Sequence, residues 1–221
     1  MLKIVKFFIV ITFLSTGVLA QSAAVQDDED FQSWNDVQLT VSMSKQVDFL
    51  TRLTLRFGND VSQFNDGRFT IGFIWKPSHA VSISPFYTYV DARNSTGHFK
   101  IENRLNLAAT YRFPVKRIGL SHRSTIERRL RKPVNSWRYR AQLTFDKDIP
   151  NKVIPNTKFF MSDEVFYDTI SDRFSRNRFA VGVTKTLNHN LSLDIYYMRQ
   201  NDGLSHPGDL NIIGTAWKVK L

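Results

Sequence analysis

The 221-residue chain contains no cysteine. This excludes a disulfide framework and a lipid anchor attached to an N-terminal cysteine. No segment shows the i, i+3, i+4 spacing of apolar residues that is typical of an amphipathic helix. The sequence also has no glycine-rich phosphate loop and no HExxH zinc motif. We therefore expect no metal, no other cofactor and no metal-dependent catalysis.

Residues 1–20 have the composition of a Sec signal peptide. Two lysines precede an apolar run from Phe7 to Leu14, and the residues that end at Ala20 fit a signal peptidase site. The run is too short for a membrane anchor helix, which needs about 20 apolar residues. We expect cleavage after Ala20 and export through the Sec pathway. Residues 21–33 are polar and unpatterned, and we predict a periplasmic N-terminal tail there.

Residues 34–221 alternate between apolar and polar in segments of about ten residues that are separated by turns. In the seventh segment, Trp137 and Tyr139 alternate with Arg138 and Arg140. Successive side chains of a strand point to opposite faces, so each segment has one apolar and one polar face. In lipid, such strands satisfy their backbone groups only in a closed barrel with the apolar face outward. The predicted fold is all-β: a single antiparallel transmembrane β-barrel over residues 34–221, located in the bacterial outer membrane.

Eleven alternating segments can be counted in the sequence. Because bacterial single-chain barrels have an even number of strands, we expect ten or twelve, with one segment merged or missed. The connections at 76–79, 114–117 and 187–190 are compact, and we predict them to be periplasmic. The longer, polar connections at 58–67, 131–136 and 201–209 are predicted to be extracellular.

Aromatic residues near the strand ends are expected to form the two interfacial girdles of the barrel: Trp34, Trp75, Tyr111, Trp137 and Trp217. A soluble β-sandwich would also alternate and is the alternative fold. The last segment, however, alternates up to the terminal Leu221, which resembles the C-terminal assembly signal of outer-membrane proteins, although that signal normally ends in an aromatic residue. This favours the barrel and predicts that the barrel assembly machinery recognises the last strand.

Basic residues exceed acidic ones by 30 to 20, which gives a net charge of +10. Nucleic acid is not an expected partner, because the chain is exported and its arginines fall on alternate strand positions instead of clustering. The expected partners are outer-membrane lipids, lipopolysaccharide and small anionic solutes.

One polar face of the predicted strands carries many ionisable groups, and these are the candidate lumen-lining residues: Arg52, Arg56, Glu102, Arg104, Arg112, Arg123, Glu127, Arg138, Arg140, Arg178 and Asp194. A passage lined by arginines would favour anions, since the guanidinium group stays charged and binds carboxylate or phosphate through two donors. The same residues could instead form a salt-bridged plug in a closed, structural barrel, because only larger barrels reliably leave a wide channel. Both interpretations stay open on sequence alone.

A different class of function rests on His122 and Ser124. These two residues share one face of a strand and could act as base and nucleophile of a lipid acyl hydrolase, with Asn135 orienting the imidazole. Outer-membrane phospholipases and lipid A deacylases use a similar His-x-Ser arrangement. Those enzymes usually continue with Ser-Asn, whereas Thr125 follows here. We predict that the protein is not an enzyme and keep the hydrolase as the alternative.

Several short segments together resemble a known family: Trp34-Asn35-Asp36-Val37-Gln38-Leu39, Leu120-Ser121-His122-Arg123-Ser124, Asn135-Ser136-Trp137-Arg138-Tyr139-Arg140, Asp163-Glu164-Val165-Phe166-Tyr167 and Asn177-Arg178-Phe179. They are similar to the bacterial outer-membrane proteins grouped as domain of unknown function 2490. The resemblance covers nearly the whole chain after residue 33. It implies an exported, barrel-like protein and carries no assigned activity.

Overall fold

The computed structural model describes residues 29–94 and 96–221, which form one closed barrel of eleven strands. The strands are β1 (Glu29–Ser42), β2 (Val47–Gly58), β3 (Gln63–Trp75), β4 (Val81–Arg93), β5 (Phe99–Arg112), β6 (Gly119–Leu130), β7 (Ser136–Asp148), β8 (Thr157–Asp168), β9 (Arg173–Thr186), β10 (Leu191–Asp202) and β11 (Asp209–Lys220). The expected all-β barrel is confirmed, and the alternative of a two-sheet sandwich is wrong. The predicted signal peptide and residues 21–28 lie outside the described residues. Over the described ranges, no helix is long and apolar enough to cross a membrane.

The barrel closes through a parallel pair of strands. Sequential neighbours from β1 to β11 pair antiparallel, whereas β1 and β11 pair in parallel from Glu29 opposite Asp209 to Thr40 opposite Lys220. We call the end of the barrel at which β1 and β11 both begin the upper end, and the opposite one the lower end. An even strand count requires the first and last strands to run in opposite directions, and here they run in the same direction. The eleven segments counted in the sequence therefore correspond to eleven strands, and the expectation of ten or twelve strands is wrong.

The first strand also begins earlier than expected. Glu29 already pairs with Asp209, so residues 29–33 belong to β1 and not to the predicted tail. Since β1 begins at the upper end, the chain enters the barrel at the end opposite to that of its C-terminus.

The predicted grouping of the connections agrees with the topology. The three connections expected to be longer lie at the upper end, where the loops are 59–62, 94–98 (described apart from residue 95), 131–135, 169–172 and 203–208. The three compact ones lie at the lower end, with 43–46, 76–80, 113–118, 149–156 and 187–190. Loop length does not distinguish the two ends, because the longest of these loops, 149–156, lies at the lower end. The segment 58–67 looked long in the sequence because β3 already begins at Gln63 and a bulge interrupts its pairing with β2.

The outer surface of the barrel is apolar and its interior is polar. Val37, Leu53, Ile101 and Ile126 point outward and are 46–57% exposed. The interior side chains of the same strands include buried carboxylates and arginines. This distribution is the reverse of that in a soluble domain and fits a barrel surrounded by lipid.

The aromatic girdle prediction is wrong for one residue. Trp75, Tyr111, Trp137 and Trp217 are exposed on the outside, whereas Trp34 is only 4% exposed and lies in the lumen. Its indole nitrogen donates a hydrogen bond of 2.9 Å to the side chain of Gln32. Trp34 has the same parity in β1 as the lumenal Gln32 and opposite parity to the outward Val37, so the pleat of the strand turns it inward.

Gly72 of β3 allows a close approach of β4. A Cβ atom added at Gly72 would lie 2.4 Å from the backbone oxygen of Pro85, which no side-chain rearrangement can relieve. We expect Gly72→Ala to destabilise the folded barrel by about 1–3 kcal/mol, as overpacking does elsewhere. The measurement is the temperature at which the compact form is lost in heat-modifiability gels. The matched control is Gly203→Ala, where an added Cβ meets nothing within 4 Å; equal midpoints for both variants would contradict this account.

Candidate functional site

Ion-paired side chains from five neighbouring strands fill the upper part of the lumen. Glu102 on β5 accepts hydrogen bonds from Arg104 Nε at 2.7 Å and from Arg129 Nε at 2.6 Å. Arg129 on β6 also donates to Asp168 on β8 at 3.2 Å. One guanidinium group thus connects three strands of the barrel wall.

Glu127 lies at the centre of these contacts. Glu127 is only 1% exposed, and its carboxylate accepts a hydrogen bond of 2.5 Å from Arg138 Nη2. Arg129 and Arg140 each approach its carboxylate to 3.8 Å. Arg140 also forms a salt bridge of 2.7 Å with Glu164, so the ion pairs form one continuous set.

We call this continuous set the arginine network. Among the described residues it contains seven arginines and four carboxylates: Arg104, Arg123, Arg129, Arg131, Arg138, Arg140 and Arg178 with Glu102, Glu127, Glu164 and Asp168. Two smaller groups adjoin it, Arg56 and Arg68 with Asp66, and Arg176 with Asp202. Ten arginines therefore share six carboxylates, which is an excess of four positive charges among these ion-paired groups.

The crowding of positive charge extends to the upper mouth. Arg131 lies in the loop after β6, with its guanidinium 3.9 Å from Glu102. Burial, followed by the charge of neighbouring Arg129, lowers the pKa of the Arg131 guanidinium below its usual value, and the carboxylate of Glu102 only partly opposes this.

Two aromatic rings lie within the lumen in contact with the arginines. The guanidinium of Arg56 stacks 3.4 Å from the ring centroid of Trp34, and that of Arg178 lies 4.9 Å from the same ring. Phe166 on β8 is 1% exposed. Such cation–π contacts hold guanidinium groups in place without neutralising their charge.

Two cavities open at the upper end. One has a volume of about 640 Å³ and is lined by eleven lysine and arginine side chains and a single carboxylate, that of Glu102. The other has a volume of about 690 Å³ and adjoins the first at Arg68, Arg176 and Arg178. An anion entering from the upper end would therefore meet a strongly basic surface.

Most of the lumen residues predicted from sequence come together in the upper lumen: Arg56, Glu102, Arg104, Arg123, Glu127, Arg138, Arg140 and Arg178. Three lie elsewhere. Arg52 faces the lumen, makes no ion pair among the described residues and has a buried Nε without a hydrogen-bond partner. Asp194 binds Lys218 in the lower half at 2.5 Å, and Arg112 is exposed at the lower end of β5.

Sequence reasoning missed members of the site: Asp66, Arg68, Arg129, Arg131, Glu164, Phe166, Asp168, Arg176 and Asp202. For most of them strand parity was the available signal, because Arg129 has the parity of Glu127 and Arg176 that of Arg178. Glu164 could not be assigned, since both faces of β8 are partly aromatic. Asp163, the residue before Glu164, points to the opposite face and accepts a hydrogen bond of 2.7 Å from the side chain of Asn177.

The geometry gives the hydrolase alternative no support. Ser124 Oγ is hydrogen-bonded to the Tyr139 hydroxyl at 3.0 Å on the outer face, and no hydrogen bond joins it to His122 among the described residues. Asn135 lies in an upper loop, where its side chain accepts from the backbone N–H of Arg131 at 3.0 Å. It is thus at the opposite end of the barrel from His122 and cannot orient that ring, contrary to the prediction.

Residues 29–94 and 96–221 contain no cluster of three or more acidic or histidine side chains that could hold a metal ion.

The sequence pattern that defines a family described as "Protein of unknown function (DUF2490)" matches residues 31–211. No match to a curated protein was found for the chain. Among solved structures, the chain is similar to the NanC porin, with a TM-score of 0.53 and 10% identity over 87% of this chain and 99% of that one. An anion-selective porin from Comamonas acidovorans aligns with a TM-score of 0.40 and 11% identity over 80% of this chain and 53% of that one. The first similarity shows a porin-like barrel fold, and the second carries no further argument.

Proposed function

The chain belongs to the DUF2490 family of proteins of unknown function, and from that premise we propose that it is an outer-membrane channel for small anionic solutes. The observation that carries this proposal is the excess of arginines in the upper lumen, where seven share four carboxylates in one network and most of them line a basic cavity. The porin-like fold supports it.

The carboxylates hold the arginines in position without cancelling their charge. Arg138 is anchored by Glu127, and Arg140 by Glu164, yet both guanidinium groups line the upper cavity. Guanidinium groups stay charged at any physiological pH, and fields in a narrow, poorly solvated passage are screened less than in bulk water. The potential of such a passage concentrates anions and repels cations.

The same proposal implies which lipids contact the barrel and how the barrel is oriented in the membrane. The apolar belt would contact outer-membrane lipids and lipopolysaccharide, after Sec export and assembly through β11. The lower end, where the C-terminus lies, would face the periplasm, and the basic cavity would then open to the outside of the cell.

Solute uptake into proteoliposomes tests the proposal. We expect vesicles containing the refolded protein to take up a small carboxylate faster than an uncharged polyol of the same size, because the lumen is positive. Arg178→Gln should reduce the preference, since Arg178 lines both cavities and its nearest carboxylate is 4.0 Å away. The matched control is Arg117→Gln in the exposed lower turn 113–118, which should leave the preference unchanged.

A closed structural barrel is the second candidate, and one observation favours it. Glu127 and Phe166 are each only 1% exposed, so the centre of the arginine network is densely filled. Folded protein that admits neither the carboxylate nor the polyol would contradict the channel and support the structural role.

A further inference from the structure

Four guanidinium groups converge on one aromatic ring that lines the first cavity, that of about 640 Å³. The guanidinium carbons of Arg138, Arg140, Arg176 and Arg178 lie 5.4, 5.0, 5.6 and 4.8 Å from the ring centroid of Phe166. The four arginines come from β7 and β9, on either side of the strand that carries Phe166. Their charges therefore surround a single centre instead of being spread along the lumen.

The carboxylates near this centre do not match the four arginines. Arg138 pairs with Glu127, Arg140 with Glu164 and Arg176 with Asp202, but Glu127 and Glu164 also serve other arginines of the network. Arg178 donates its Nε to the neutral side chain of Gln200 at 2.8 Å and has its nearest carboxylate at 4.0 Å.

One donor of the cluster has no partner. Arg138 is 6% exposed, and its Nε is buried without a hydrogen-bond acceptor. The Nε itself has almost no accessible surface, so it indicates an incompletely paired guanidinium group rather than the atom that a ligand would contact. All four arginines line the cavity of about 640 Å³, a volume in the range of small-molecule sites.

We infer that this cavity binds a phosphate dianion group, either inorganic phosphate or a small phosphomonoester, against the arginines that surround Phe166. A single group with two negative charges and three acceptor oxygens matches several guanidinium groups directed at one centre. Chloride or a monocarboxylate supplies one charge and fewer acceptors. The volume leaves room beside the phosphate for a small organic part. A role of this site in selecting solutes for transport rests on the proposed channel. The binding site itself does not depend on the channel.

Calorimetric titration of the refolded barrel in detergent at pH 8 tests the binding directly. The probes are inorganic phosphate, glycerol phosphate and dimethyl phosphate, which carries a single charge. We expect saturable binding of the first two and at least about tenfold weaker binding of dimethyl phosphate, as the loss of charged hydrogen bonds implies. Tighter binding of glycerol phosphate than of phosphate would identify a phosphomonoester site, and the reverse order a site for free phosphate.

The variants Arg178→Gln and Arg176→Gln should each weaken phosphate binding by about tenfold or more. Arg117→Gln in the lower turn should bind as the wild type does. Phe166→Leu serves as a second probe, because it keeps all charges while removing the ring around which the arginines are arranged, and we expect weaker binding. Absence of phosphate binding, or equal affinities in the wild type and Arg178→Gln, would overturn the inference.

The channel and the site can fail separately. If the barrel conducts chloride but phosphate neither binds nor reduces the current, the phosphate site is wrong and the channel stands. If the barrel binds phosphate but passes no ions, the channel is wrong and the site stands.

Discussion

Glu127→Ala is expected to leave little or no stably folded barrel. The carboxylate of Glu127 is buried and faces Arg138 at 2.5 Å and Arg129 and Arg140 at 3.8 Å. Its removal leaves three buried guanidinium groups around an unfilled space, and breaking a buried ion pair from one side costs about 3–5 kcal/mol. The free energy of unfolding in urea, followed by tryptophan fluorescence in detergent or lipid, measures the effect.

Two further variants separate this cause from a general intolerance to substitution. Glu29→Ala removes a carboxylate that also pairs with an arginine, Arg199 at 2.5 Å, but is exposed at the upper rim, and its stability should match the wild type. The double variant Glu127→Gln with Arg138→Gln removes both charges of the closest pair and should recover most of the stability lost in Glu127→Ala. If Glu127→Ala is as stable as Glu29→Ala, the arginine network does not support the fold.

A triple substitution, Arg123→Glu with Arg131→Glu and Arg178→Glu, is expected to reverse the ion selectivity of the barrel. The three arginines lie 3.7, 3.9 and 4.0 Å from their carboxylates, so they are the most weakly anchored members of the network. The change lowers the net charge of the ion-paired groups of the upper lumen by six, from an excess of four positive charges to an excess of two negative ones. The reversal potential in a KCl gradient should therefore change sign.

Two control variants at the same three positions separate the effect of charge from that of side-chain replacement. Lysine at the same three positions preserves the positive charge and should preserve anion selectivity. Glutamine at the three positions should weaken selectivity without reversing it, and this variant remains informative if the glutamate variant does not fold. Unchanged selectivity in both the glutamine and the glutamate variants would show that ions do not pass through the upper lumen.

The alternation of residues predicted the strands and their faces well, because the pleat of a strand is a local property. It placed Arg138 and Arg140 in the lumen and Trp137 and Tyr139 outside, as the structure has them. It also gave eleven segments. Eleven segments that pair antiparallel in sequence already imply a parallel closure of β1 on β11, and only the expectation of an even number of strands set this count aside.

The partners within the site could be predicted far less well. Glu102 lies two residues from Arg104 but also binds Arg129, 27 positions along the chain, and this pairing depends on the register between β5 and β6. Phe166 was missed because an aromatic residue on a barrel strand normally suggests the lipid face. Here the surrounding guanidinium groups provide a favourable environment for its ring in the lumen.

Single-channel recording of the refolded protein in a planar bilayer under a KCl gradient tests the central claim most directly. The account predicts discrete current steps and a reversal potential on the anion-selective side, weakened by Arg178→Gln and unchanged by Arg117→Gln. Folded, heat-modifiable protein that gives no steps, or steps that favour potassium, would contradict it.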